Sequence, residues 1–356
     1  MIAVVLVGGE GTRLRPLTLD EPKPVLPIGG VPFLSLLLDR LAAAGVTRVI
    51  FSCGYLPDRL RAGIGTPPPG VEVEVVVEDE PLGTAGAIRF AAAGRVDSPF
   101  LALNGDVLGD ADFGALVRAH AAAGATASIG LTPVDDPTRF GVVVCDQDGK
   151  VERFVEKPPN ADGLGPAPWW VNAGAYVLDP SVLDLVPADR MVSIEREVFP
   201  LLVGNGLIAC QAEGYWRDIG TLESYLAANA DAIGGQLHTR LGGSPTALLV
   251  DPTATDAAGA QLLAPVLIGA GAEIAAGATI GPDAVIGATS RVGANSVVRS
   301  AVLLDGVEVA AGATIERSVV GRGATVGERS SLLDSALGTS EIVGSDETLI
   351  DERRPS

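Results

Sequence analysis

The chain has 356 residues, enough for two domains, and 47% hydrophobic content allows a sizeable core. A formal net charge of −19 with no visible basic patch excludes nucleic acid and anionic membrane as general partners, because phosphate polymers would repel it. Cys53, Cys145 and Cys210 are odd in number and lack metal-ligand spacing, so they read as structural thiols. No basic segment precedes the first apolar run and no uncharged apolar stretch reaches about 18 residues, so a cytoplasmic protein without a membrane span is expected.

The first apolar run, Ile2 to Val7, is short and β-branched and predicts a buried strand. At its carboxyl end stands Gly8-Gly9-Glu10-Gly11-Thr12-Arg13-Leu14-Arg15-Pro16-Leu17-Thr18, followed by Glu21-Pro22-Lys23-Pro24. Three glycines in four positions let main-chain amides approach an anion, and Arg13 and Lys23 can meet its charge. A dinucleotide fingerprint would need glycine where Leu14 stands, and a Walker loop would need Gly-Lys-Ser/Thr, which is absent. By spacing alone, a phosphate cradle and a tight turn both remain open.

Helical spacing over Pro32 to Ala44 ends at Gly45, and Val46 to Ser52 reads as a second strand. A helix near Pro57 to Ala62, a strand Val71 to Val77, a small-residue helix Thr84 to Ala93 and a buried strand Phe100 to Leu103 continue the alternation. A helix Ala111 to Ala123 and a strand Ala125 to Leu131 follow, so a mostly parallel sheet covered on both faces is expected. Short strands Val142 to Cys145 and Val151 to Phe154 flank Asp-Gln-Asp-Gly, which is hairpin chemistry. Strand Val171 to Leu178, two short helices near Val182 to Val186 and Ile194 to Leu202, and helix Leu222 to Ile233 complete a first domain, residues 1–234.

Glycines and Pro245 mark a linker, 235–260. Beyond it Ile268, Ile274, Ile280, Ile286, Val292, Val298 and Leu304 recur every six residues. The phase slips near Val309 and resumes as Val309, Ile315, Val320, Val326 and Leu332. Such a hexapeptide period predicts a parallel β-helix with stacked inward aliphatics over 261–340, then a tail, 341–356.

Several strings carry candidate chemistry. Asp106, in Leu103-Asn104-Gly105-Asp106-Val107, and Asp218, in Trp216-Arg217-Asp218-Ile219-Gly220, each follow an apolar or aromatic run. Two carboxylates at one sheet edge would suit Mg²⁺ together with substrate phosphates; a turn or helix cap is the plainer role for either alone. Lys157 can contact a sugar phosphate, and Glu156 can accept from two sugar hydroxyls. Asn172 can donate and accept beside small residues, and the backbone at Gly141 could approach a ring closely. Only three lysines occur, and two of them, Lys23 and Lys157, precede proline, as if a compact ammonium were required there.

The strings from Gly8 to Thr18, Pro22-Lys23-Pro24, Asn104 to Val107, Phe154-Val155-Glu156-Lys157-Pro158, Val171-Asn172-Ala173-Gly174 and Trp216 to Thr221 resemble, in the same order, the sugar-1-phosphate nucleotidylyltransferases. The following hexapeptide repeats are similar to those of the mannose-1-phosphate guanylyltransferase and glucose-1-phosphate adenylyltransferase branches. The resemblance implies an α/β protein in which a Rossmann-like, mostly parallel sheet precedes a left-handed parallel β-helix. It implies transfer of NMP from NTP to a sugar 1-phosphate, with release of pyrophosphate. By motif, Gly8, Gly9, Gly11, Thr12, Gly83 and Thr84 would line the nucleotide, and Arg13 and Lys23 would stabilise its triphosphate. Asp106 and Asp218 would hold Mg²⁺, Lys157 would bind the sugar phosphate, and Gly141, Glu156 and Asn172 the hexose. The attacking phosphate oxygen is already ionised, so no base is needed, and His120 and His238 read as structural.

Base choice rests on the stretch Glu78-Asp79-Glu80 to Gly86, just after the third strand, in which Glu78 is preferred over Glu80 because, five residues before Gly83, it resembles the position where the thymidylyl relatives place a Gln. Guanine presents N1–H beside its exocyclic amine, and one carboxylate accepts both, whereas uracil or thymine would set carbonyls against it. This stretch and Met191 to Pro200 resemble the guanylyl, mannose-1-phosphate branch most, with heptose, glucose and other bases left open. No histidine follows His238, which disfavours an acyltransferase role for the β-helix. With both aspartates and all the cations present, a silent regulatory subunit is disfavoured too. An oligomerisation or allosteric role for the β-helix and a homo-oligomer are expected.

Overall fold

The computed structural model describes all residues except Asp189, Glu213, Arg240 and Ser356. Its packing divides the chain into two units: Met1–Gly9 with Leu34–Trp216, and Glu10–Phe33 with Arg217–Ser356.

In the first unit, Glu72–Val77, Arg48–Cys53, Ile2–Leu6 and Phe100–Asn104 lie side by side and parallel. In Ile2–Leu6, Arg48–Cys53 and Phe100–Asn104 the Val, Ile, Leu and Ala side chains fill both faces, as near-continuous apolar runs require of buried parallel strands, whereas Glu72–Val77, at the sheet edge, alternates Glu and Val and is partly exposed. Small residues on the helix Gly83–Ala92, among them Ala85, Ala87, Ala91 and Ala92, are buried and allow close approach to the sheet. The other half of the sheet departs from the expected parallel order. Trp169–Leu178 runs antiparallel to both Phe100–Asn104 and Ala127–Val134; Gly141–Cys145 pairs antiparallel with Val151–Glu156, the hairpin that the Asp-Gln-Asp-Gly turn predicts. The sheet is therefore mixed, because a tight hairpin and direct returns replace helical crossovers after residue 127. Leu207–Gln211, a strand the sequence reading did not single out, pairs parallel with Ala127–Val134.

Register places the functional strings. Leu6 pairs with both Ser52 and Asn104, so Gly8-Gly9, the segment after Cys53 and Asp106 all leave the carboxyl ends of neighbouring parallel strands. This is where open α/β sheets bind ligands. Gly105 is needed at that edge: a Cβ there would stand 2.6 Å from Val7 Cγ1 and 2.7 Å from the Leu6 carbonyl.

In the second unit, the helix Leu222–Gly234 starts at a capping box between Thr221 and Ser224 and stops at left-handed Gly235. Three parallel ladders of seven, six and six strands then form the triangular coil of a hexapeptide β-helix, in keeping with the left-handed class. Val266 pairs with Ala284, giving an eighteen-residue coil, whereas Val285 pairs with Val302, a seventeen-residue one. The phase slip thus falls between Val298 and Leu303, earlier than the sequence reading put it. The corner is shortened at Ser300, which takes a positive φ of 44°. Leu303, and not the expected Leu304, joins the axial stack, which continues through Val309, Ile315, Val320, Val326, Leu332, Leu337, Val343 and Leu349. Strand pairing reaches back to Leu248–Val250 and on to Arg353–Arg354, beyond the 261–340 span that the strict six-residue period marks. Among the described residues no helix is long and apolar enough to cross a membrane.

Candidate active site

The second unit gathers one set of functional side chains. Gly11 adopts φ +62°, and a Cβ on it would stand 3.0 Å from Thr18 Cγ2 and 3.3 Å from Lys23 Cβ. Thr18 Oγ1 donates to the Gly11 carbonyl at 2.8 Å, folding the segment into a closed loop. Thr12–Leu14 forms one 3-10 turn, with Leu14 N donating to Gly11 O and Arg15 N to Thr12 O. The amides from Gly8 to Arg13 take no intramolecular acceptor among the described residues. Successive amides without a protein acceptor are able to cradle an anion.

Lys23 is 9% exposed, with its Nζ 3.9 Å from Asp218 Oδ1. Gly220 brings in the third member: a Cβ there would stand 2.7 Å from Arg13 Nη2 and 3.0 Å from Asp218 Oδ2. Arg13, Lys23 and Asp218 are thus one cluster, and glycine at 220 is what leaves room for the guanidinium beside the carboxylate. Arg15, which pairs with exposed Glu10 at 2.8 Å, belongs to the rim.

The first unit holds the other set. Glu78 is fixed at both carboxylate oxygens: Ser52 Oγ donates to Oε1 at 2.8 Å, and Leu82 N reaches Oε2 at 3.4 Å. A Cβ on Gly8 would be 3.3 Å from Gly54 N and 3.5 Å from Glu78 Oε1, so the start of the glycine loop lies against this carboxylate. Gly83 adopts φ +72°, and a Cβ would come within 2.6 Å of the Val192 carbonyl. Thr84 Oγ1 donates to Glu195 Oε2 at 2.7 Å and accepts from Ile194 N at 2.8 Å, so its hydroxyl is engaged within the protein.

Around Gly141 the structure gives a reason for glycine that the sequence reading did not. A Cβ there would meet Phe154 Cζ at 2.7 Å and Glu156 Oε2 at 2.8 Å; the missing side chain makes room for the glutamate itself. Burial pushes the Glu156 carboxyl up, the nearby Glu195 charge pushes it further, and Lys157 opposes. Lys157, at φ +48°, holds its Nζ 3.7 Å from Glu156 Oε1 and is largely exposed. Asn172 donates from Nδ2 to Tyr176 Oη at 2.8 Å and accepts from Gly174 N at 2.9 Å. Burial, then the Glu195 charge, raises the Tyr176 phenol well above its ordinary value, with Glu156 and Asp106 adding to it and the Asn172 bond opposing. The phenol therefore stays neutral and keeps Asn172 oriented. Phe140 packs edge-on against Trp216 at 5.2 Å, and Trp216 Nε1 donates to the Ala173 carbonyl at 3.1 Å.

Residues 2–234 match the family model described as Nucleotidyl transferase, and residues 262–354 the one described as GMPPB C-terminal domain. The chain belongs to the nucleotidyl transferase family. It is similar to "Mannose-1-phosphate guanylyltransferase" of Mycobacterium tuberculosis, 39% identical over 88% of this chain and 83% of that one. It is also similar to "Mannose-1-phosphate guanyltransferase" of Candida albicans, at 42% over 64% of this chain and 63% of that one. Among solved structures, HddC from Yersinia pseudotuberculosis complexed with GMP-PN aligns at TM-score 0.55 and 31% identity, over 65% of this chain and 99% of that one.

Within this nucleotidyl transferase domain, sequence reasoning missed two carboxylate anchors. Ser52 ends a strand and reads as a buried polar residue, yet it sets the orientation of Glu78. Glu195 lies 111 residues from its partner Thr84 and also accepts from Ser193 Oγ at 2.7 Å. No local pattern announces either. The usable signal for Glu195 was its place in the string Met191 to Pro200, which already looked specific to one branch.

Proposed function

We propose that this chain transfers GMP from GTP to mannose 1-phosphate, giving GDP-mannose and pyrophosphate. A phosphate oxygen of the sugar 1-phosphate attacks the α-phosphorus in line; the bond from that phosphorus to the bridging oxygen of the β-phosphate breaks, and pyrophosphate leaves with that electron pair. No proton has to move, since the attacking oxygen is ionised at neutral pH, so rate depends on alignment and charge neutralisation. The observation that carries the reading is the glycine loop of free amides closed against Arg13, Lys23 and Asp218. The names of the relatives, and a neighbour solved with a guanine nucleotide analogue, point to the same reaction and base.

In this reading Gly8, Gly9, Gly11 and Thr12 cradle the phosphates, and Arg13 and Lys23 take up the charge that develops on leaving pyrophosphate. Glu78, held by Ser52, accepts from guanine N1–H and the exocyclic amine, and Gly83 and Thr84 shape the wall beside it. Glu156 and Asn172, next to Gly141, receive the hexose, and Lys157 its phosphate.

Asp106 and Asp218 are the proposed Mg²⁺ ligands. Hard carboxylate oxygens suit that ion, and the cations beside Asp218 suit the phosphates that share it. Bound there, Mg²⁺ would supply charge neutralisation at the phosphates. The protein is proposed to act as a cytoplasmic homo-oligomer.

The reaction is tested by following pyrophosphate release and the ³¹P spectrum of the product. GTP with mannose 1-phosphate should give a diphosphate-linked product, chelation should abolish it, and Asp106→Asn should lose at least about a hundredfold in kcat. Full activity in Asp106→Asn would contradict the metal assignment.

A further inference from the structure

The second unit joins the glycine loop to the β-helix, which the order of the chain gives no reason to expect. We infer that Arg322, on the β-helix, is a positioning residue that holds the segment carrying Lys23, so that the repeat domain sets the geometry of the triphosphate-binding cations.

Arg322 Nε donates to Glu21 Oε1 at 3.0 Å, while its Nη1 engages Asp305, one coil earlier at the same corner. The pair is partly buried, with Arg322 33% and Glu21 23% exposed, and Glu21 Oε2 is buried without a protein partner among the described residues. Comparable corner pairs, Arg317 with Asp334 and Arg329 with Asp346, tie coil to coil and are well exposed. Arg322 differs in spending one nitrogen on the neighbouring coil and another on the loop.

The connection onward is short and stiff. Pro22 and Pro24 bracket Lys23, fixing φ on either side, and Val25 N closes a turn on the Pro22 carbonyl at 2.9 Å. A shift at Glu21 therefore moves Lys23, whose Nζ lies 3.9 Å from Asp218. Two further points fix the frame against which Arg322 acts. Tyr225 Oη donates to the Pro27 carbonyl at 2.7 Å, and Gly29 N donates to Asn229 Oδ1 at 2.8 Å, both on the helix that starts just after Asp218. At the other end of the segment a Cβ on Gly338 would stand 3.2 Å from Pro16 Cβ, so the last coils pack directly on it. The β-helix is thus a template for the loop at Pro16 and Glu21, and the helix Leu222–Gly234 a template at Pro27 and Gly29.

The inference rests on the reading of Lys23 as a triphosphate ligand, and its test has a readout independent of turnover. In the full chain, Arg322→Ala should speed amide hydrogen exchange over residues 12–28 and lower kcat/KM for GTP roughly ten- to a hundredfold. Arg317→Ala, which breaks an exposed coil-to-coil pair, should leave both unchanged. Arg322→Lys should recover part of the loss, and Glu21→Gln combined with Arg322→Ala should be no worse than Arg322→Ala alone, since both remove the Arg322–Glu21 contact. Wild-type kcat/KM and wild-type exchange in Arg322→Ala, or losses that multiply in the double variant, would overturn the inference. A wild-type protein inactive on GTP and mannose 1-phosphate would instead sink the proposed reaction, while the exchange comparison would still decide the role of Arg322.

Discussion

Glu156 carries an electrostatic cost that is built into the ligand-free site. Its folded pKa lies above the ordinary 4.5 because of burial first and Glu195 second. A raised carboxyl stabilises the fold fully only below its unfolded pKa, and that contribution is lost as pH rises through the folded value. At neutral pH the ionised group is therefore a net cost, which sugar hydroxyls donating to it would offset in the proposed function. Glu156→Gln should raise the thermal midpoint of ligand-free protein at about pH 7–8, with the gain vanishing near pH 4, while KM for mannose 1-phosphate rises. Melting curves across that range check it; an unchanged or lowered midpoint at pH 8 would contradict it. At this scale the sequence exposed the residue types well: Arg13, Lys23 and Asp218 come together, as do Glu156, Lys157 and Gly141. What it hid was the reason for each glycine and the engaged state of Thr84 and Asn172, because their partners Glu195 and Tyr176 are defined only by the folded sheet.

The segment Leu82 to Gly86 and the segment Val192 to Glu195 behave as one element. Ala85 N donates to Val192 O at 2.9 Å, Val192 N donates to Leu82 O at 2.9 Å, and Gly83 is the point of closest approach. The end of the first unit proposed to face the base is therefore linked through Thr84 and Glu195 to the end proposed to face the sugar. Gly83→Ala would force a side chain into φ +72° and against a carbonyl, costing about 1–3 kcal/mol from the backbone conformation alone. Urea titration should register that loss, and KM for GTP should rise with it. A variant as stable as the wild type would show that the carbonyl yields freely. Elements of clear period, the parallel strands and the hexapeptide coils, were legible in the sequence. Of the antiparallel half of the sheet, the hairpin joined by Asp-Gln-Asp-Gly was legible too; the direction of Trp169–Leu178 was not, since it depends on connections and not on pattern, and one shortened corner moved the inward residue from Leu304 to Leu303.

For the whole molecule, the order of motifs announced a catalytic region followed by a repeat region, and both are present. Packing divides the chain along a different line, with Glu10–Phe33 grouped with the β-helix and the helix Leu222–Gly234. A sequence cannot display this grouping, because Glu21 and Arg322 lie 301 residues apart. The grouping gives the repeat domain a direct hold on the loop that names the reaction. In the proposed reaction the choice of guanine rests on Glu78. The most direct measurement is a matrix of pyrophosphate release, with GTP, ATP, UTP and dTTP each paired with mannose, glucose and heptose 1-phosphates at saturating Mg²⁺. Release should be fastest with GTP and mannose 1-phosphate; equal or faster release with UTP or dTTP, or none with any pair, would overturn the proposed reaction.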